Sequence, residues 1–190
     1  MARTTDAREK ALATAERLFR TQGFAATGLA QIIAESGSPK GSFYFHFPGG
    51  KDQLAAETIE AFGARGLTAI RRVAEASLGD TGGFIDRLCA TFAAEMRASH
   101  FELGCVLQNI AAERAPNDST LTPLLQKWFA AWRDAIAEPL AHGGVVNPEA
   151  VALGLLAALE GARTLARTSQ SDAPFLAVAM AMKSAALTDG

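Results

Sequence analysis

Apolar residues recur along this chain at helical rather than alternating spacing, and glycine, proline and capping residues interrupt them at intervals. The pattern predicts nine helices and no strand, an all-α chain. Leu12, Ala15 and Phe19 mark a first helix over about 5–21, stopped by Gln22-Gly23. Thr27 is the expected N-cap of a second, whose stripe is Leu29, Ile32 and Ile33 and whose end is Ser36-Gly37. Ser38 is the expected cap of a third, with Pro39 in its first turn and Phe43 and Phe47, four apart, on its back. Pro48-Gly49-Gly50 then breaks the chain before a long helix from Lys51 to about Ser77, carrying Leu54, Phe62 and Val73. At 1.5 Å per residue that helix spans ~40 Å, enough to join two domains.

The turn-rich run Gly79-Asp80-Thr81-Gly82-Gly83 ends it, and the next helix, Phe84 to Ala98, puts Phe84, Leu88, Phe92 and Met96 on one face. A short helix lies within Gly104–Glu113, and Leu121–His142 forms another around Leu124, Leu125, Trp128, Phe129 and Trp132. Asn147-Pro148-Glu149 combines an N-cap, a proline at the first helical position and an acid in the first turn, opening a helix to about Arg167. That helix gathers Gly154, Ala157, Ala158 and Gly161. The last helix, Ala173 to Leu187, is apolar almost all round and must bury two sides. Self-association satisfies it: the last two helices pair with their symmetry mates in a four-helix bundle. The expected interface is Gly154, Ala157, Ala158, Gly161, Phe175, Val178 and Met182.

Charge changes the picture. The net charge of −2 over 190 residues argues by itself against a nucleic-acid partner. Residues 1–51, however, carry seven Lys/Arg against four Asp/Glu, net +3, leaving eleven against sixteen, net −5, in the rest. A DNA-facing domain over 1–50 on an acidic body over 51–190 accounts for the asymmetry. Cys89 and Cys105 are too few for a disulfide framework and form no C-x-x-C pair. There is no charged-then-apolar leader and no apolar run of membrane-spanning length, so a cytoplasmic chain without a membrane partner is expected. Gly50-Lys51 does not close a phosphate-binding loop, because Phe45 stands where the loop needs glycine and Asp52 where it needs Ser/Thr. With no metal-spacing cluster and no paired-acid motif, no metal, cofactor or catalytic residue is expected.

The third helix carries the chemistry. Its back is Phe43 and Phe47; its front offers Lys40, Ser42, Tyr44 and His46, a combination suited to a major groove. Gly23-Phe24, Thr27, Ile32, Gly37, Lys40-Gly41-Ser42-Phe43-Tyr44, His46-Phe47, Lys51 and Leu54 together resemble the TetR family of transcriptional regulators over about residues 5–55. Three positions depart from the family pattern: Ser36 and Ser38 replace small apolar turn residues, and Ala30 replaces a long polar one. The resemblance implies a dimer that holds two reading helices one DNA turn apart, roughly 34 Å, on a palindromic operator. Lys40 is the expected base reader, since lysine reaches guanine O6 and N7. Gly41 permits close backbone approach, Ser42 bonds a base or phosphate, and Phe45 touches a thymine methyl. Thr27, Tyr44, His46 and Lys51 are assigned to phosphates, and Ser38 and Pro39 complete the DNA surface at the helix entry.

In the body, Gly104-Cys105-Val106-Leu107-Gln108-Asn109 with Glu113 resembles a Gly-Cys-x-x-x-Asn stretch of a TetR-type subgroup that includes sensors of electrophiles and unsaturated acids. A pocket for an unidentified small-molecule effector is expected among Cys89, Phe92, Met96, Cys105, Asn109, Trp128 and Trp132. The two tryptophans and Cys89 also read as plain core. Cys105 follows a glycine at a helix start, where the macrodipole favours a thiolate whose modification would release the regulator from DNA, as a small molecule would; it reads equally as a buried cysteine filling space. Two rival classes remain: a thiol enzyme using Cys105, for which His100 is the one histidine near in sequence, and an architectural DNA-binding protein without an inducer.

Overall fold

The computed structural model describes the backbone of residues 2–187 and the side chains of 6–186. Among these residues it is all helical. The elements are α1 (Ala2–Gln22), α2 (Leu29–Ser36), α3 (Lys40–His46), α4 (Gly50–Glu75), α5 (Thr81–Ala98), α6 (Val106–Arg114), α7 (Leu121–His142), α8 (Pro148–Ser169) and α9 (Ala173–Leu187). No helix is long and apolar enough to cross a membrane, among the described residues.

The chain divides into two compact units, and the division does not follow the sequence. The first joins the segment up to Gly63 with Cys105–Lys127; the second joins Ala64–Gly104 with the segment from Trp128 onward. Both α4 and α7 contribute to each unit, and α6 falls in the first.

In the first unit α1 packs on α2, α3 and α6. Its core is Ala11, Ala15, Leu18, Phe19, Phe24, Ile32, Phe43, Phe47, Leu54 and Ile59, all buried. The apolar stripes read from spacing are the ones buried, as amphipathic periodicity requires. Gly37 closes α2 at φ 65°, in the left-handed region that favours glycine. Two expected caps are otherwise engaged. The N-cap of α2 is Gly28, which has no side chain to cap with, and the Thr27 hydroxyl beside it is buried and donates to the Gly23 carbonyl at 2.6 Å. The N-cap of α3 is Pro39; the Ser38 hydroxyl instead donates to the Ala7 carbonyl of α1 at 3.0 Å.

The second unit is built on α5, α8 and α9, with the later parts of α4 and α7. Phe84, Ile85, Leu88, Trp132, Ile136, Leu155, Leu159 and Phe175 are buried in it. The helix α5 starts three residues before its expected start: Asp80 caps it, accepting from the Gly83 N–H at 2.7 Å, and draws the two glycines into the first turn. Asn147 stands at the N-cap of α8 without a side-chain cap bond, so the start there rests on Pro148.

Candidate nucleic-acid interface

The helix α3 is seven residues long, too short to be stable alone, and its position comes from packing. Phe43 and Phe47 are buried with ring centroids 5.2 Å apart, and Phe43 meets the Tyr44 ring edge-on at 5.7 Å. With its back fixed, the helix presents Pro39, Lys40, Gly41, Tyr44 and Phe45 exposed, and Ser42 and His46 half-buried. Phe45 is 77% exposed, a large ring left in water on an otherwise well-packed unit. A Cβ placed on Gly41 would meet nothing within 4 Å, so the fold of this chain does not require glycine there. A shallow groove between α2 and α3 is lined by Ala30, Ile33, Ala34, Lys40 and Tyr44.

Three expected DNA contacts are placed differently. Thr27 and Ser38 are buried with their hydroxyls engaged as described, so neither offers a hydroxyl to a phosphate. The Lys51 ammonium lies 4.0 Å from the centroid of the Phe24 ring, with Arg114 at 4.8 Å from the same ring. Partial burial pushes the Lys51 pKa down, while the Glu113 and Asp52 carboxylates push it back up. Lys51 is therefore turned onto an aromatic face inside its own unit, where a cation is stabilised by the ring quadrupole.

The residues of the expected effector pocket are divided between the two units. Asn109 belongs to the first unit, and its amide donates to the Phe19 and Arg20 carbonyls at 2.8 and 3.3 Å. Cys105, also in the first unit, is the N-cap of α6 and is fully buried. Cys89, Phe92, Met96, Trp128 and Trp132 belong to the second unit and are buried there. Trp132 packs so closely on α4 that a Cβ on Gly66 would collide with its ring, which makes it core. Burial and the nearby Asp86 push the Cys89 thiol up to about 12, the environment of an inert packing cysteine. Sequence reading missed the charge in this core. Arg163 of α8 is buried, pairs with Glu95 at 2.6 Å and lies 4.7 Å from the Phe92 ring, with Glu160 buried one turn earlier. Helical spacing from Leu156 and Leu159 marks those positions as inward-facing. No group of three or more metal-ligating side chains stands together among the described residues.

Of the expected self-association residues, Gly154, Ala157 and Gly161 are exposed, while Ala158, Val178 and Met182 are half-buried. Phe175 is buried in the core of its own unit and is unavailable to a second copy. The face that remains open on α8 and α9 carries Leu153, Leu165, Leu176 and Met180, the last two 63% and 72% exposed. None of the four was singled out from sequence; for Leu176 and Met180 the reason is that in a helix apolar all round, periodicity does not distinguish the inward side.

Residues 11–58 match the model of bacterial regulatory proteins of the tetR family, and 83–181 match the C-terminal domain of LmrA/YxaF-like transcriptional regulators. Two Bacillus subtilis proteins are similar over nearly their whole length. YxaF, an HTH-type transcriptional regulator, is 34% identical over 92% of each chain; LmrA, another, is 34% identical over 90% of this chain and 92% of its own. The Escherichia coli transcriptional repressor NemR is 30% identical over 57% of this chain and 54% of its own. The crystal structure of its reduced form has the same fold, with TM-score 0.79 and 22% identity over 93% of this chain and 95% of that one.

Proposed function

From the premise that this chain belongs to the TetR family of transcriptional regulators, we propose that it is a dimeric repressor which leaves a palindromic operator when a small molecule binds its second unit. The observation that carries the DNA part is the outer face of α3. Lys40, Gly41, Tyr44 and Phe45 are exposed in a row, while the phenylalanines behind them are locked into the core. Lys40 reads a guanine edge, Phe45 packs on a thymine methyl, and Ser42, Tyr44 and His46 anchor the helix to base or phosphate. Pro39 lies against the backbone at the helix entry. Thr27, Ser38 and Lys51 hold the unit together instead of touching DNA.

The open faces of α8 and α9 support pairing of two copies into a four-helix bundle, which sets the spacing of the two reading helices. An effector displaces the repressor only if it binds more tightly to the form whose spacing does not fit the operator. Release by a small molecule is favoured over release by thiol modification, because Cys89 and Cys105 are both buried. A regulator of this kind works on the chromosome and is cytoplasmic.

Selection from random duplexes tests the DNA reading. A two-fold-symmetric site should emerge, and its affinity should fall steeply with salt as phosphate counterions are released. A selection that yields no symmetric site sinks it. Thermal shift against a metabolite panel tests the effector, since a ligand that binds only the folded state raises the melting temperature.

A further inference from the structure

We propose that Asn109 and Glu113 of α6 are positioning residues for DNA reading: they grip the end of α1 and the turn beyond it, and thereby set the pose of the α2–α3 pair. The inference rests on the regulator reading above.

Helix ends leave their last four carbonyls without partners inside the helix. At the end of α1 two of these, on Phe19 and Arg20, accept from the Asn109 amide. One turn further along α6, Glu113 takes up the two amides that follow the helix. Its Oε1 accepts from the Phe24 N–H at 3.2 Å and its Oε2 from the Ala25 N–H. Cys105, Asn109 and Glu113 are spaced i, i+4, i+8 and so form one stripe along α6. The chain accommodates this grip with a glycine. Gly23 has φ 87°, and a Cβ there would collide with the Glu113 carboxylate.

The gripped turn leads directly into the DNA-reading pair. The Thr27 hydroxyl donates to the Gly23 carbonyl, tying the start of α2 to the same turn. The Phe24 ring sits between Lys51 of α4 and Arg114 of α6. Since α1 in turn packs on α2 and α3, the end of α1 is where their pose is fixed from behind. The segment Cys105–Lys127 is continuous at both ends with chain of the second unit, at Gly104 and at Trp128.

The experiment compares wild type, Asn109→Ala, Glu113→Ala, Glu113→Gln and Gly23→Ala on the selected operator, across a salt series, with amide exchange at Phe24 and Ala25 read in parallel. Glu113→Ala leaves two N–H groups without a charged acceptor and should weaken operator binding roughly tenfold to a hundredfold. Glu113→Gln keeps one carbonyl acceptor and should fall between it and wild type. Gly23→Ala should match Glu113→Ala from the other side of the contact. In every variant the slope of affinity against salt should stay at the wild-type value, because no phosphate contact is removed. Faster exchange at Phe24 and Ala25 with wild-type operator affinity would reduce the grip to packing and overturn the proposal. Variants with a shallower salt slope would overturn it too, by making the loss one of DNA contacts. If wild type itself selects no operator, the regulator reading fails, an outcome separate from either of these.

Discussion

The reading helix and the α8–α9 face both leave apolar side chains in water, but they do so with different materials. On α3 the exposed rings of Tyr44 and Phe45 stand beside Lys40 and bare backbone at Gly41. On α8 and α9 the large apolar side chains left exposed are Leu153, Leu165, Leu176 and Met180, with Gly154, Ala157 and Gly161 also exposed on α8. Mixed aromatic and cationic surface suits base edges and phosphates, which offer acceptors and methyl groups. Pure aliphatic surface with small gaps suits another helix, which offers only packing. The supports differ correspondingly. Hydrogen bonds donated by Ser38, Thr27 and Asn109 and accepted by Glu113 support the first surface, whereas behind the second lie apolar packing and the Arg163–Glu95 pair among α5, α8 and α9.

The contrast breaks most visibly at α9. Leu176→Glu with Met180→Glu exchanges two aliphatic contacts for two charges, costing roughly 3 kcal/mol or more per copy, and twofold symmetry doubles it. We expect a monomer in sedimentation at micromolar concentration and no tight operator binding, with the helical content unchanged. A dimer that survives the double change would remove α9 from the interface. At α3, Lys40→Ala should lower discrimination at one base position per half-site by roughly 1–3 kcal/mol, read by competition with single-base variants of the operator. Equal losses on all sequences would instead make Lys40 a phosphate contact.

Gly41→Ala sharpens the distinction between folding and reading. With nothing near the new methyl inside the chain, the helix should gain up to about 1 kcal/mol of stability. Operator binding should nevertheless weaken, because the methyl stands where the duplex approaches. Tighter binding alongside the higher melting temperature would place the DNA elsewhere.

The smallest effect concerns the start of α7. Backbone N–H groups of Leu121 and Thr120 and the Arg114 guanidinium hold the Asp118 carboxyl below the usual carboxylate range. A carboxylate depressed in the folded state contributes stability above its ordinary pKa, and that contribution is lost as pH falls through the depressed value. Asp118→Asn keeps an acceptor for the backbone and discards the titration. Its melting temperature should therefore drop less than that of wild type between neutral and acidic pH, and parallel curves would refute the assignment.

Element type and order were legible from the sequence because each helix carries its own periodic stripe and its own stop signal. Leu12 to Phe19, Leu29 to Ile33 and Phe84 to Met96 need no partner to be recognised. The outer face of α3 was legible for the same reason: Phe43 and Phe47 name the buried side, so the rest must face out. What the tertiary structure decided was where polar groups spend their hydrogen bonds and which side of a uniformly apolar helix turns inward. Thr27 and Ser38 look like caps in one dimension, but carbonyls of Gly23 and Ala7 lie closer in three. Asn109 spends its amide on the end of α1, 90 residues away in sequence, a partner that spacing along α6 does not reveal. Phe175 is taken by the core and Leu176 is left outside, although spacing alone treats them alike. Local patterns fix local structure because they act through neighbouring turns. Long-range partners are chosen only when the chain has folded, since nothing in a residue's near sequence records which distant carbonyl will face it.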